Sequence, residues 1–315
     1  IYFIDVEGGQ STLVVTPEHQ ALLVDAGYPG RNDRDIDRVM AAARDAGITR
    51  LDYLLITHYH QDHVGGVAEV SRRLPVGTFV DHGTPVDSDP IYAEPDRMAY
   101  TAYVDAAKGH TQLHARPGDR LKLKGLDVII TNGGGETLAK AVPGGGQVNP
   151  ACADYRPIAD DPGENANSLG LWLRFGKFRF ADPGDLNYNK LGQLACPRSL
   201  VGPVDAYLVS HHGNLDSNVP AFVEGLHPRA AIINNGERKG GAPATFDTLR
   251  RMPFLEGRWQ LHSSVNEGVE NFPVESIANL DTQTAHWLKL RASRDGGFTV
   301  ENPRTGSTVT YRAPR

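Results

Sequence analysis

The chain has 315 residues, 40% hydrophobic and 22% charged, an ordinary globular composition with net charge −6 and pI near 6.1. It has no run of Lys and Arg of the kind that grips a long polyanion, and no apolar run approaching the ~20 residues of a membrane span. Long nucleic acid and membrane insertion are therefore disfavoured, while a small or short oligomeric substrate, even an anionic one, stays open if bound cations supply local positive charge.

Residues 1–25 read as a meander of three strands, 1–6, 11–16 and 21–25, with turns at 7–10 and 17–20. Residues 33–46 place Ile36, Val39, Met40 and Ala43 at i, i+3, i+4, i+7, the apolar face of a helix, and Gly47 suits its C-terminal cap. An apolar strand over 53–57 leads into a histidine-rich turn. A helix is expected over 64–74 and a strand over 76–81. Residues 84–118 carry Pro85, Pro90 and Pro95, then a helical stretch at 97–107, and read as an insertion near the site, a lid or specificity element. Strand pattern returns over 121–131. A connection rich in Gly, Pro, Asn and Asp fills 132–167.

The second half repeats the plan. A hairpin, 168–175 and 177–181, turns at Gly176 and leads to Asp182-Pro183-Gly184-Asp185. A helix over 186–194 precedes a strand over 206–210 that ends in His211-His212-Gly213. Then come a helix (220–226), a strand (230–234), a helix (243–251) and late strands at 287–292, 298–301 and 307–311. The simplest α/β architecture is two mixed sheets face to face with helices outside. Residues 1–315 are expected to form one domain, with a strand-rich C-terminal extension from about residue 257.

The chain opens on the strand-like Ile1-Tyr2-Phe3-Ile4 without an initiator Met, as after removal of a leader or after trimming. The cysteines are Cys152 and Cys196. Bonded to each other, they suit a periplasmic or secreted protein, the favoured reading. The alternative is two buried thiols in a cytoplasmic enzyme.

The chemistry concentrates in Thr57-His58-Tyr59-His60-Gln61-Asp62-His63-Val64-Gly65-Gly66, with three imidazoles and a carboxylate within six positions. Neutral imidazole and ionised carboxylate both donate to a borderline-soft divalent cation, and a strand end fixes their positions. Three further strand ends carry ligand-type residues: Asp25, Asp185 and the pair His211/His212. Singly, each has a plain explanation as a turn opener, a helix N-cap or a polar loop. Together with the first cluster they point to one shared metal site. In the loop 234–241, Arg238 or Lys239 is a candidate holder of an anionic substrate, against the plainer reading of a solvated turn. His262 is a candidate lining residue. His19, His82, His227 and His286 read as structural or surface groups.

The pattern His58-x-His60-x-Asp62-His63, preceded by Leu23-Val24-Asp25-Ala26-Gly27 and followed by Gly184-Asp185 and Ser210-His211-His212-Gly213, resembles the metallo-β-lactamase-fold hydrolase superfamily over roughly residues 1–240. Phe3-Ile4-Asp5-Val6-Glu7-Gly8-Gly9-Gln10 and Leu208-Val209-Ser210-His211-His212-Gly213 look most like the nuclease-like domain of bacterial competence channel proteins and its stand-alone relatives. The resemblance implies an αββα sandwich with the site at one edge between the sheets, and two divalent ions, zinc first, with manganese or iron as alternatives. His58 and His60 would hold the first metal, Asp62 and His63 the second. Asp185 would bridge, and His211, or else His212, would complete the second. Asp25 would orient a ligand from behind. The superfamily's third His on the first metal is missing: Glu164 stands in its place with Asn165 beside it, either as ligands or as ordinary loop residues. His110 and His114 are weaker substitutes.

Two metals about 3.5–4 Å apart would activate water and polarise a scissile group, with Asp62 or Asp185 guiding that water. The favoured activity is hydrolysis of an ester, a phosphodiester of a small or oligomeric substrate first. The alternatives are a lactone, β-lactam, carboxylic ester or amide hydrolase, and, in another class, a catalytically weak metal- or partner-binding domain.

Overall fold

A computed structural model describes residues 1–86, 94–160 and 162–314. Among these, strands build two nine-stranded mixed sheets and one two-stranded ladder. The first large sheet runs in the order Ser307–Tyr311, Phe298–Asn302, Leu288–Ala292, Tyr2–Phe3, Thr12–Val15, Ala21–Val24, Leu51–Leu55, Val76–Asp81 and Thr111–His114. Its last four strands are parallel neighbours and the others antiparallel. In the second, Ile277–Asn279, Gly257–His262, Ala230–Ile233, Ala206–Leu208 and Phe178–Asp182 lie parallel. Gly170–Phe175, Asp127–Gly133 and Arg120–Leu121 continue it antiparallel, and Glu136–Thr137 folds back on Asp127–Gly133.

Strand alternation makes the layers. Leu22 and Val24 face the cluster between the sheets, with Leu55, Leu171, Phe180, Leu208 and Ile232. Their neighbours Ala21 and Leu23 face outward, onto Ile36, Val39 and Ala43 of the helix Arg34–Asp45 and Val67 and Val70 of the helix Val67–Arg73. On the far side, Ile233 and Trp172 pack with Leu191, Phe222 and Leu249 of the helices Tyr188–Ala195, Pro220–Leu226 and Pro243–Arg251. Each large side chain buried in these clusters contributes roughly 1.5–3 kcal/mol. The result is the expected αββα sandwich.

Several expectations shift in detail. The helix expected over 64–74 is two pieces, Gln61–Val64 and Val67–Arg73, with Gly65 and Gly66 between them. A Cβ on Gly65 would meet Pro29, and one on Gly66 would meet the Ala26 carbonyl, so two glycines let the histidine turn close on the loop after Ala21–Val24. The segment from residue 257 is built into both sheets: Gly257–His262 and Ile277–Asn279 enter the second, and the last three strands extend the first, with Tyr2 opposite Lys289. The helix expected at 97–107 is longer, Glu94–Ala107. Residues 87–93 of the expected insertion, including Pro90, lie outside the described residues.

Cys152 and Cys196 are bonded, tying the long connection to the end of the helix Tyr188–Ala195 across 44 residues of sequence. Closing a loop of that length is worth about 2–4 kcal/mol. Replacing both cysteines by alanine is expected to lower unfolding stability by that amount in urea titration. Unreduced, denatured protein should show no thiol reactivity, and two reactive thiols would contradict the pairing.

Candidate metal centre

Four chain segments reach one edge of the sandwich from the ends of buried strands. Asp25 follows Ala21–Val24, the histidine turn follows Leu51–Leu55, Asp185 follows Phe178–Asp182, and His211 and His212 follow Ala206–Leu208. The first two are joined by a hydrogen-bond knot. The Asp25 carboxylate accepts from the Thr57 amide (2.8 Å), the Thr57 hydroxyl (2.7 Å) and His63 Nδ1 (2.7 Å). Because the hydroxyl's one proton goes to the carboxylate, Thr57 Oγ1 accepts from His58 Nδ1 at 3.0 Å. Both imidazoles are thus held from behind, with Nε2 turned inward. Asp25 stands behind His63 directly and behind His58 through Thr57. The part played by Thr57 escaped the sequence reading, although its position between strand and first histidine is a usable signal.

Inward, His63 Nε2 lies 3.1 Å from Asp185 Oδ2 and 3.2 Å from Asp62 Oδ2, and His212 Nε2 lies 3.1 and 3.3 Å from the same two oxygens. One ligand atom from each of Asp62, His63, Asp185 and His212 falls within 4.8 Å of the others, and all four residues are buried. Of the histidine pair it is therefore His212, not the favoured His211, that clusters with Asp62, His63 and Asp185. His211, His212 and Gly213 all have positive φ. Two consecutive left-handed non-glycine residues, each costing about 1–2 kcal/mol, point the adjacent rings in different directions. Counting from the strand end could not reveal that.

The other half of the motif is more open. His58 Nε2 is 2.9 Å from His60 Nδ1 and 3.9 Å from Asp185 Oδ2. Glu164 does not join them. Its Oε1 accepts from the Tyr59 amide (3.1 Å) and His82 Nε2 (2.8 Å), and its Oε2 from the Val86 amide (2.9 Å). The expectation of Glu164 as a ligand is corrected: this wholly buried carboxylate is spent on holding the backbone between His58 and His60. Its neighbour Asn165 comes to 3.4 Å from His211 Nε2 through Nδ2, while its buried Oδ1 has no partner among the described residues. His262 is also corrected. It is buried against Asp5 (2.9 Å), in a group with Glu7 whose charge Arg34 and Arg38 match. His114 pairs with Asp81 at 2.5 Å, and His110 packs on Phe79.

The electrostatics call for a cation. Asp25, Asp62, Asp182 and Asp185 are all buried here; burial raises the carboxyls of Asp25 and Asp182, and among the described residues the permanent cation beside the other two is Lys239, ion-paired to Asp62. Lys239 is thus committed to a carboxylate of the cluster, with its ammonium also 5.4 Å from the Tyr28 ring. Burial opposes ionisation of Asp62, but Lys239 and His63 outweigh it and hold the carboxyl well below its ordinary range. Burial likewise opposes ionisation of Asp185, and His212, His63 and His211 outweigh it. Burial would neutralise His63, yet Asp185, Asp62 and Asp25 keep it protonated far above the usual imidazole value. Among the described residues, Asp185 Oδ1 is buried without a hydrogen-bond partner, as is His212 Nδ1. Two inward imidazole nitrogens, two ionised carboxylates and an unanswered carboxylate oxygen fit a divalent ion. Beside His211, whose Nδ1 is 2.9 Å from Asp216, a cleft of about 740 Å³ is lined by Ile158, Tyr188, Asn214, Leu215, Asp216 and Asn218.

Asp182 ends the strand Phe178–Asp182. It is buried, accepting from the Gly184 amide (3.0 Å) and Gln10 Nε2 (2.9 Å), and burial pushes its carboxyl up to about 7. A folded value above the unfolded one near 4 means that this group's contribution to stability is whole below pH 4 and is lost as pH rises to 7. In chelator-treated protein, Asp182→Asn should therefore remove a downward slope of about 1.4 kcal/mol per pH unit between pH 4 and 7, measured by urea unfolding. An unchanged slope would contradict the burial.

Residues 4–149 match the family model of the metallo-beta-lactamase superfamily. The chain is 25% identical to ComE operon protein 3 of Bacillus subtilis (strain 168) over 74% of its own length and 28% of that protein's. It is 44% identical to a hydroxyacylglutathione hydrolase of Alkalilimnicola ehrlichii over 20% of this chain and 24% of that one. The chain thus spans about a quarter of the length of these relatives. Among solved structures, it is similar to Igni18, a metallo hydrolase of Ignicoccus hospitalis, with TM-score 0.46 and 15% identity over 82% of this chain and 94% of that chain. The stretch matched by the family model and the two facing mixed sheets with helices outside give the chain the metallo-beta-lactamase fold.

Proposed function

We propose that this protein is a metal-dependent hydrolase of ester bonds, acting first on phosphodiesters of small or short oligomeric substrates. The observation that carries the reading is the convergence of His63, His212, Asp62 and Asp185 in one buried cluster. The mixed nitrogen and carboxylate donors favour zinc, with manganese or iron as alternatives. A divalent ion in this place supplies Lewis acidity toward water and toward the scissile group. The chain's own groups do the rest. Asp25 and Thr57 fix His58 and His63 in one orientation. Asp185 Oδ1 is available to accept a hydrogen bond from an attacking water. Lys239, ion-paired to Asp62, keeps that carboxylate ionised beside the cluster.

We limit the substrate to small or short molecules, for which the cleft beside His211 is large enough. The absence of a basic stripe supports the same limit. Among the described residues no helix is long and apolar enough to cross a membrane. The Cys152–Cys196 bond favours an oxidising compartment, periplasmic or extracellular, over the cytoplasm. Pairing of Tyr2–Phe3 with Leu288–Ala292 supports reading residues 1–315 as one functional unit.

A second reading is hydrolysis of a thioester or carboxylic ester, favoured by the similarity to hydroxyacylglutathione hydrolases. Zinc- or manganese-loaded protein should cleave bis(p-nitrophenyl) phosphate faster than S-lactoylglutathione, a lactone or nitrocefin. The reverse order would transfer the assignment to carbonyl substrates. Asp185→Ala should abolish activity and metal content together. Asp25→Ala should weaken metal binding by about ten- to a hundred-fold, the usual cost of losing a group that orients a ligand. Full metal content in Asp185→Ala by elemental analysis would contradict the site.

A further inference from the structure

We infer that His211 supplies the third protein ligand of the first metal position, so that one His-His turn serves both metals. This rests on the metal-dependent reading above. The resemblance places the missing ligand in the loop around Glu164, but both Glu164 oxygens are engaged by Tyr59, His82 and Val86. His211 approaches the same carboxylate as His58. Its Nε2 lies 3.7 Å from Asp185 Oδ2, the oxygen that His58 Nε2 approaches to 3.9 Å and that His63 and His212 approach to 3.1 Å. Four imidazoles thus surround one carboxylate oxygen, His63 and His212 closely, His58 and His211 more loosely.

The way His211 is held matches that of a metal-ligating histidine. Nδ1 faces Asp216 at 2.9 Å and Ser217 Oγ at 3.4 Å, so Nε2 is the atom turned inward. The backbone is pinned on both sides: the His211 amide donates to the Gly184 carbonyl at 3.2 Å, and the His212 carbonyl accepts from the Gly241 amide at 2.8 Å. A Cβ on Gly240 would strike that carbonyl, so the turn cannot relax outward. Left-handed backbone at both histidines sends the rings apart, with centroids 5.9 Å apart and planes at 64°. The partnerless Oδ1 of Asn165, on a side chain 3.4 Å from His211, adds a second oxygen donor on that side. The second position, already compact, binds first. The first position must draw His58 and His211 together and binds more weakly.

The test is metal stoichiometry, independent of activity. Metal-free protein is titrated with Co²⁺ and followed by visible absorption, and zinc content is measured after equilibrium dialysis. Wild type should take up two equivalents, a tight one and a weaker one. His211→Ala should keep the tight equivalent and lose or weaken the other by at least about ten-fold. His58→Ala should lose the same equivalent, and His212→Ala the tight one. Glu164→Gln, if folded by circular dichroism, should retain both. Two equivalents with unchanged affinities in His211→Ala would overturn the inference, as would loss of the weaker equivalent in folded Glu164→Gln. Wild type that binds no metal would instead bring down the hydrolase reading itself. Wild type that binds two but cleaves no ester would leave the His211 assignment standing.

Discussion

The structure depends on the carboxylate of Asp25. It closes the end of one buried strand onto the end of the next by accepting from the Thr57 amide, the Thr57 hydroxyl and His63. Burying this carboxylate is costly, and its hydrogen bonds offset that cost while fixing two imidazoles. Asp25 itself sits at positive φ, and the adjoining loop meets Gly65 and Gly66 at backbone contact distance. The strand pair, the glycine pair and the histidine turn form one mechanical unit. The second sheet then brings Asp185 and His212 to it.

The excess of buried negative charge follows from this arrangement. Each carboxylate has a local reason to be there, yet the cluster holds Lys239 as its lone fixed cation among the described residues. Lys239 and the protonated His63 offset the charge of Asp62 and Asp185. A divalent ion would take over that role and release His63 Nε2 from its proton, coupling metal affinity to pH. The two proposed metal positions differ accordingly: one is a compact four-residue set, the other a looser arrangement in which His58 and His211 approach Asp185.

Much of this was legible in the sequence where a signal is local. The helix Arg34–Asp45 was readable from the spacing of Ile36, Val39 and Ala43, and the strand-end placement of Asp25, His58, His63 and Asp185 from apolar runs that stop at ligand-type residues. What escaped is set by distant partners or by unusual backbone. Glu164 finds His82, 82 positions away, and the Tyr59 amide, 105 away, and no local pattern announces either. The choice between His211 and His212 turns on left-handed conformations that the sequence does not favour. The burial of Asp182 and the pairing of His262 with Asp5 likewise arise only once two sheets are packed.

The central claim is that Asp62, His63, Asp185 and His212 jointly hold a divalent ion. The most direct measurement is anomalous scattering at the zinc edge from a crystal of zinc-loaded protein. The account predicts the strongest peak within about 2.0–2.2 Å of His63 Nε2, His212 Nε2 and one carboxylate oxygen each of Asp62 and Asp185. A strongest peak beside Asp5, Glu7 and His262, or no peak at this cluster, would contradict it.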